Sequence, residues 1–223
     1  MAIESEEPRR NSQEPAAVRA YRELERLIVT LDLGPGTVTT EGALIERLGL
    51  GRTPVREAVQ RLAWEGLITV RPRAGLEIAP LDPADWIRVL DARSAIEAVL
   101  ARSAARWVGP DAIISLKKAA LEMHEAVLGR DVRKFLDADK SLDEAIAQAC
   151  DNPFAVRLAA PLQTHSRRFW YRYRGDTGLA EAAEHHVALI TAITNRDPGV
   201  ASEEAHRLMA LLRLHALSAG AAR

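Results

Sequence analysis

Glycine and proline interrupt the chain after residue 82 at intervals that suit one helix each, and this spacing restricts the fold more than any other feature. The breaks lie at Gly109-Pro110, Gly129, Asn152-Pro153, 175–178 and Asp197-Pro198. Asparagine or aspartate directly before proline is a signature of a helix start. No part of this region shows the alternation of a strand. The pattern predicts six helices, at approximately 83–107, 110–128, 131–150, 153–174, 179–195 and 198–219.

The first 80 residues begin with a different pattern, which predicts three short helices. Apolar residues recur at three- and four-residue steps from Ala16 until Gly34-Pro35-Gly36, which ends the first helix. Thr40 is suited to cap the second helix. Thr53-Pro54 is suited to begin the third, with threonine as the cap and proline at the first helical position. Gly66 ends this third helix.

Two extended segments, at 67–70 and 76–79, flank a basic loop that ends at Gly75. Three helices followed by strand, loop and strand predict a winged helix-turn-helix. We therefore expect a mainly α fold, with an N-terminal winged helix-turn-helix plus an all-α C-terminal helical bundle of about six helices. The breaks predict four parts: a disordered tail at 1–16, a first domain at 17–80, a linker at 81–84 and a second domain at 85–223.

Charge and composition exclude several classes of protein. The net charge of −1 gives no overall attraction to nucleic acid, so any DNA-binding function must depend on local charge. No apolar run reaches the roughly 18 residues that span a bilayer, and the polar N-terminus does not resemble a signal peptide. The single cysteine, Cys150, can form neither an internal disulfide framework nor a thiolate zinc site. We expect a cytoplasmic protein without membrane contact.

Positive charge is concentrated at the third helix. Arg52, Thr53 and Arg56 occupy its N-terminal end, which is the part of a recognition helix that enters the major groove. Arginine can hold a guanine edge with two hydrogen bonds. Threonine can bind a phosphate or contact a thymine methyl group. Any one of these arginines, taken alone, could equally be a solvated surface residue, so the prediction depends on their common position.

The second helix and the hairpin loop supply further candidate DNA contacts. Thr40 can offer its hydroxyl and backbone N–H to a phosphate at a helix N-terminus. Arg71 and Arg73 on the loop could reach a narrow minor groove, which attracts arginine. We assign Gly75, which ends the loop, to the same surface.

The sequence around the third helix resembles the DNA-binding segment of the GntR family of transcription regulators over about 65 residues. The resemblance implies that Thr40, Arg52, Thr53, Arg56 and Arg73 contact operator DNA. It also implies structural roles for Glu57 and Glu65, and packing of Trp64 between the domains or against the wing. Gly51 departs from the pattern, because relatives often carry serine or threonine there. The matching residues are Arg52-Thr53-Pro54-Val55-Arg56-Glu57-Ala58, Leu62, Glu65-Gly66-Leu67 and the basic loop 71–75.

Carboxylates and imidazoles are spread over the predicted helices of the second domain. Asp139 and Asp143 lie four residues apart on one helix face, and His186 lies on a later helix. Such groups can converge on a metal inside a helical bundle. Arg93 could pair with Glu97 or give a fixed positive charge for a carboxylate ligand. The run of arginines and aromatic residues at 167–174 is interpreted as a helix that ends at the surface.

The second domain is similar to the FadR-like branch of the GntR family over most of residues 82–215. Many members of that branch bind a divalent metal through one aspartate and three histidines, beside a small carboxylate effector. Asp139 and His186 match that pattern, which implies a ligand site at Arg93, Asp139 and His186. Asp143 stands where a histidine is expected, and Leu208 where the last one is expected. His206 and His215 are displaced from that position. The set of metal ligands is therefore incomplete, and two alternatives are open. One is a divalent metal, either zinc or a harder metal, at Asp139, Asp143 and His186. The other is a pocket without a metal.

These patterns together predict a ligand-responsive repressor. Two recognition helices held one helical turn apart would read a palindromic operator, so we expect a homodimer joined by its helical domain. A small carboxylate effector would change the spacing of the two DNA-binding domains. Three other functions remain open. One is a metal-dependent hydrolase with an accessory DNA-binding domain, and another is a DNA-binding protein without an effector. The third is an activator, since the position of the operator decides between activation and repression.

Overall fold

The computed structural model describes residues 14–174 and 178–221. Most of the predicted tail at 1–16 and of the break at 175–178 lies outside the described residues. The described ranges contain two apolar cores, the first within the N-terminal 80 residues and the second formed mainly by the helices that follow. The elements in chain order are α1 (Ala16–Val29), β1 (Val38–Thr39), α2 (Glu41–Leu48), α3 (Arg52–Trp64), β2 (Ile68–Arg71), β3 (Gly75–Ile78), α4 (Pro83–Trp107), α5 (Pro110–Leu128), α6 (Val132–Ala149), α7 (Pro153–Tyr173), α8 (Gly178–Thr194) and α9 (Pro198–Ala221).

The N-terminal domain is a winged helix-turn-helix, as predicted. Helices α1 to α3 and an antiparallel sheet of order β1-β3-β2 enclose one core. Leu24, Val55, Leu62 and Ile78 are fully buried in it. Burial of large apolar side chains on one face of each element is the main stabilising contribution in a domain of this size. The apolar residues that recur with helical period in the first segment therefore form the buried face of α1.

The wing contains one strand more than predicted. The two predicted extended segments are confirmed as β2 and β3 with shifts of about one residue. The missed strand is β1, in which Val38 pairs with Glu77 and Thr39 pairs with Leu76 of β3. A strand of two residues is too short to show an alternating pattern, so the sequence carries no periodic signal for it.

The N-terminal caps agree with the sequence in one helix and differ in another. Thr40 caps α2, because its hydroxyl accepts a hydrogen bond of 3.1 Å from the backbone N–H of Ala43. The predicted cap at Thr53 is wrong. Helix α3 begins at Arg52, two residues before the predicted first helical residue, and Gly51 is its N-cap without a side-chain hydrogen bond. Pro54 therefore lies within the first turn, where a missing N–H costs no helical hydrogen bond.

The second domain is an all-helical bundle of α4 to α9 whose bounds agree closely with the prediction. Helix α4 begins at Pro83, inside the predicted linker 81–84, and Asp82 caps it through the N–H of Ala84. The fully buried Trp86 stacks on Phe169 of α7, which fixes the start of α4 against the bundle. Within residues 14–174 and 178–221 no helix is long and apolar enough to cross a membrane.

Helix α7 holds the two domains together through three of its side chains. His165 Nε2 lies 2.8 Å from the carbonyl oxygen of Glu65, at the C-terminal end of α3. The Thr164 hydroxyl donates a 2.6 Å hydrogen bond to Glu25 of α1. Arg168 donates to the carbonyl oxygen of Ala79 at 2.5 Å, just after β3. Movement of α7 would therefore act on α1, on the recognition helix and on the wing.

Candidate DNA-binding surface and buried charge cluster

The N-terminal end of α3 is open to solvent. Arg52, Thr53 and Arg56 are exposed, whereas Val55 between them is buried in the core. The side chains predicted to read bases are thus directed outward by the same helical period that buries the apolar ones. None of the residues that the structure describes covers this end of α3, so among them it is available to a DNA major groove.

Thr40 and the wing lie beside this helix end. A Cβ atom built on Gly75 would lie 3.8 Å from the Thr40 methyl group, so these two predicted positions are neighbours. Arg56 of α3 pairs with Glu41, the first residue of α2, at 3.3 Å. The structure therefore brings three of the predicted positions together at the junction of α2, α3 and β3.

The arginines of this surface differ in whether they pair with an acidic side chain. Arg71 is paired with Glu77 across the hairpin, and Arg56 with Glu41. Arg52 and Arg73 form no ion pair with any described residue. Arg73 lies at the hairpin turn with a positive φ of 63°. These two arginines can meet phosphate or base edges without first giving up an acidic partner.

The expectations for Trp64 and Glu65, at the C-terminal end of α3, have different outcomes. The Trp64 side chain is 77% exposed, so the predicted packing between the domains or against the wing is wrong. Leu62, two residues earlier, is buried and fills the core position of this last turn. Glu65 is structural as predicted, since it accepts hydrogen bonds of 2.9 Å from the Tyr21 hydroxyl and from Arg61.

The predicted ligand residues of the second domain form a buried charge cluster. Asp139 of α6 and His186 of α8 are in contact, with 2.8 Å between Asp139 Oδ1 and His186 Nε2. The other ring nitrogen of His186, Nδ1, lies 2.6 Å from the carbonyl oxygen of Ala182. We use the name charge cluster for Arg93, Glu97, Asp139, Asp143, Arg167 and His186.

Arg167 of α7 lies between the two aspartates. Its Nη1 atom is 2.5 Å from Asp143 Oδ2 and 3.3 Å from Asp139 Oδ2, and its side chain is 8% exposed. The interpretation of residues 167–174 as a surface helix end is therefore wrong for its first two arginines, because Arg168 is buried as well. Each has acceptors that are distant in the sequence, and these hydrogen bonds offset the loss of water.

Arg93 pairs with Glu97 one turn along α4, at 2.7 Å, and this outcome was one of the two predicted. Gln163 of α7 donates to the same Glu97 oxygen at 3.1 Å. Arg93 also lines a small cavity with Asp139, Arg167 and His186. The predicted ligand residues Arg93, Asp139 and His186 are thus neighbours in space.

The pKa values in the cluster follow its contacts. Burial alone would raise the pKa of Asp139, but the hydrogen bond from His186 and the charge of Arg167 lower it. Burial alone would lower the pKa of His186, and the bond to Asp139 raises it instead. For Asp143, burial and the nearby charge of Asp139 outweigh Arg167 and raise the pKa to about 7. Of the two aspartates, Asp139 is therefore the one that is more readily ionised.

The cavity beside the cluster is small. Its volume is about 20 Å³, room for a single water molecule. Ser166 lines it, and the buried Ser166 hydroxyl has no hydrogen-bond partner among the described residues. A buried polar group without a partner is uncommon in folded proteins. It indicates that the cavity offers a donor and acceptor to a bound molecule.

The charge cluster does not fit the divalent metal that the sequence left open. The described residues contain no group of three His, Cys, Asp or Glu side chains arranged to hold a metal ion. Asp139, Asp143 and His186 are close together, but the Arg167 guanidinium lies between the two carboxylates. Leu208 is buried, and His206 is exposed with its ring bonded to the Ser202 carbonyl oxygen, so neither position adds a histidine to Asp139 and His186. His215 Nε2 lies 3.5 Å from Glu181 of α8 instead.

A winged helix-turn-helix with exposed arginines, joined to a helical domain with a buried polar cavity, defines the class of DNA-binding transcription regulators. Sequence profiles give the family. Residues 16–78 match the bacterial regulatory proteins of the gntR family, and residues 88–211 match the FCD domain. The chain belongs to the GntR family, in its FCD-domain branch.

Individual relatives agree with this assignment. The chain is 36% identical over 137 residues to an HTH-type transcriptional regulator in an unstable DNA locus of Streptomyces ambofaciens, a match that spans 57% of this chain and about half, 52%, of that protein. It is 28% identical to the HTH-type transcriptional repressor RspR of Escherichia coli K12, over 84% of this chain and 82% of the repressor. The solved structure of E. coli McbR/YncC has the same fold, with a TM-score of 0.77 at 19% identity over 91% of this chain and 99% of that one.

These comparisons confirm the predicted family and the regulator function. The matching families are regulators, and the named relatives are regulators or repressors, so the hydrolase alternative is wrong. Sequence reasoning missed Arg167, Ser166 and Glu25. The only signal for Arg167 was its spacing on α7, where positions 163, 164 and 167 lie on one helix face.

Proposed function

We propose that this protein is a homodimeric repressor of a palindromic operator, released by a small carboxylate. In this proposal residues 17–80 bind DNA, and residues 85–223 form the dimer and bind the effector. The observation that carries it is the combination of an uncovered recognition end at 52–56 with a charge cluster that is linked to the DNA-binding domain through α7.

An apolar surface of the helical domain supports the homodimer. Val99 and Trp107 on α4 and Phe154 and Leu158 on α7 are exposed apolar side chains. The two helices meet here, because the Ser103 hydroxyl accepts a 3.1 Å hydrogen bond from the N–H of Asp151. Exposed apolar patches mark interaction sites. A two-fold contact of this patch with its copy would hold two recognition helices at a fixed spacing.

The charges around the cavity support a carboxylate as the effector. Arg93, Arg167 and His186 are cationic donors, and Ser166 adds an unpaired hydroxyl. Guanidinium groups hold carboxylates with paired hydrogen bonds. Since the cavity of about 20 Å³ is smaller than any carboxylate ligand, binding must widen it, and we expect α7, which supplies Ser166 and Arg167 to its wall, to move. Effector binding and the displacement of α7 would then occur together.

Glu25 connects that movement to the DNA-binding domain. Its carboxylate is 4% exposed, accepts from Thr164, lies 3.8 Å from Arg167 Nη2 and is paired with Lys140. An effector carboxylate that takes over Arg167 would remove a counter-ion from Glu25. A buried carboxylate that loses one of its cationic partners is destabilised, so the docking of α1 on α7 would weaken. The two sites are then coupled through one side chain.

The repressor proposal predicts a large effect of Arg52 on operator binding. In Arg52→Ala, we expect the affinity for an operator selected from random DNA by the wild-type protein to fall by about 5- to 150-fold, which is about 1–3 kcal/mol. The reason is the loss of an unpaired arginine at the groove-facing end of α3. Fluorescence anisotropy with labelled DNA measures it. Arg88→Ala, an exposed arginine on α4, is the control and should bind as the wild type does. Equal affinities of both variants would contradict the groove contact.

Effector release can be separated from effector binding by a variant of Glu25. With pyruvate, malonate and benzoate as probes, we expect at least one to raise the melting temperature of the wild-type protein and to weaken operator binding about tenfold or more. In Glu25→Gln, the same probe should still raise the melting temperature but change operator affinity less than about threefold. Glu23→Gln, whose acid pairs with Arg26 on α1, should behave as the wild type.

Each negative result of this experiment has its own meaning. If no carboxylate changes the melting temperature, the effector proposal is wrong, and the protein without an effector is the better interpretation. If a probe binds and also releases DNA from Glu25→Gln as it does from the wild-type protein, the proposal of a carboxylate effector is retained. The proposed coupling through Glu25 is then wrong.

A further inference from the structure

The charge cluster already contains a cation at the place where a metal would bind its two aspartates. Arg167 Nη1 contacts an oxygen of Asp143 and an oxygen of Asp139, and Thr164 accepts from its Nη2 atom at 3.3 Å. The remaining Asp139 oxygen faces His186. Both oxygens of Asp139 therefore have cationic or hydrogen-bonding partners from this chain, and neither is free for a metal ion.

The hydrogen bonds of His186 leave it without a lone pair for a metal. Its Nδ1 atom faces the carbonyl oxygen of Ala182, and its Nε2 atom faces the carboxylate of Asp139. The carbonyl oxygen is an acceptor, and so is the carboxylate of Asp139 in its ionised form, so both ring nitrogens then donate and the imidazole is the doubly protonated cation. A metal-binding histidine is neutral and coordinates through an unprotonated nitrogen. The geometry of His186 is therefore that of an ion-pair partner.

The charge balance of the cluster leads to the same conclusion. Arg93, Arg167 and His186 face Glu97, Asp139 and Asp143, three cations against three carboxyl groups, in a buried environment. A divalent ion added there would lie next to two existing cations, and repulsion at such distances is large where water is excluded. We propose that this effector site works without a metal, and that the Arg167 guanidinium takes the place of the metal cation between Asp139 and Asp143.

This assignment defines how a ligand would be held. It rests on the proposed effector site and gives the class of ligand that this site selects. A guanidinium offers paired N–H donors to one carboxylate, whereas a metal ion has open coordination positions that favour chelating ligands. The site should therefore select a ligand by its carboxylate alone. A neighbouring hydroxyl that could chelate a metal would add nothing through coordination.

Metal binding to the wild-type protein and to Arg167→Ala tests the inference. After treatment with EDTA and dialysis, Zn²⁺ or Mn²⁺ is added, and metal content is read by native mass spectrometry and by thermal melting. The wild-type protein should retain no stoichiometric metal and show no change in melting temperature. Arg167→Ala, in which the carboxylates are no longer neutralised, should bind one metal ion per chain and gain several degrees in melting temperature. Arg167→Ala/Asp139→Asn is the control and should lose both effects.

Two outcomes would overturn the inference. One is a metal ion held per chain of the wild-type protein in a manner that Asp139→Asn abolishes. The other is a folded Arg167→Ala that binds no more metal than the wild-type protein. Should Arg167→Ala fail to fold, Arg167→Met keeps the length of the side chain and is measured in its place. Neither readout uses DNA or an effector, so an error in the proposed function would not affect the result.

Discussion

Replacement of Arg167 by alanine is expected to lower the free energy of unfolding by about 3–5 kcal/mol in the absence of metal, the usual cost of removing one partner from a buried ion pair. Two aspartates lie within hydrogen-bond distance of this guanidinium, and Glu25 lies 3.8 Å from it. Without Arg167, Asp139 keeps His186, but Asp143 loses its charged partner. Urea unfolding followed by far-UV circular dichroism measures the change.

The loss should depend on pH in a defined direction. The pKa of Asp143 is raised to about 7 in the wild-type protein, and Arg167 is the larger of the two nearby charges, with Arg93, that oppose this rise. Its removal raises the pKa further, so the ionised form is disfavoured in the folded state. A folded-state pKa above the unfolded value means that stability falls as pH rises through the region between them. Arg167→Ala should therefore be destabilised more at pH 8 than at pH 6.

Two further variants isolate the cause. Arg172→Ala removes an exposed arginine from the last turn of the same helix and should change stability by less than about 0.5 kcal/mol. Arg167→Ala/Asp143→Asn should recover part of the stability at pH 8, because the unpaired carboxyl is then gone. A loss below about 1 kcal/mol for Arg167→Ala at pH 8 would show that the buried ion pairs contribute little.

The sequence predicts the helical framework well because local chemistry determines it. Helices α4 and α7 begin at Pro83 and Pro153, each after an aspartate or asparagine that caps the helix, as Asp82 and Asn152 do. These signals need only a few neighbouring residues. Asp139 and His186 were also predicted as partners, and they are in contact, but the family resemblance supplied that pairing.

Burial of charged side chains could not be predicted in the same way. Arg167 and Arg168 belong to a run of arginines and aromatic residues that is normally found at the surface. Their partners are Asp139, 28 residues away, and the carbonyl oxygen of Ala79, 89 residues away. The helical period shows that 164 and 167 share a face but not which domain that face meets. The site residues that were missed are those determined by tertiary contacts.

Gly75→Ala is expected to destabilise the wing by about 3 kcal/mol, the upper end of the range for a strained residue. Gly75 has a φ of +98°, a conformation that side chains rarely adopt, and a Cβ atom there would lie 2.4 Å from the carbonyl oxygen of Thr39. The clash involves backbone, so β1 and β3 must separate. We expect faster hydrogen exchange in peptides of β1 and β3, unchanged exchange in the helical domain, and weaker operator binding.

Gly36→Ala separates strain from the clash. Gly36 also has a positive φ, of +74°, but a Cβ atom there would meet nothing within 4 Å. Its substitution should therefore cost only the conformational strain, about 1 kcal/mol. If hydrogen exchange in β1 is no faster in Gly75→Ala than in Gly36→Ala, the close approach of Thr39 is not the reason for glycine at position 75. Faster hydrogen exchange of β1 in Gly75→Ala than in Gly36→Ala, together with weaker operator binding, would mean that this position requires glycine. The reason would be that β1 packs directly against it, which keeps Thr40 beside the wing.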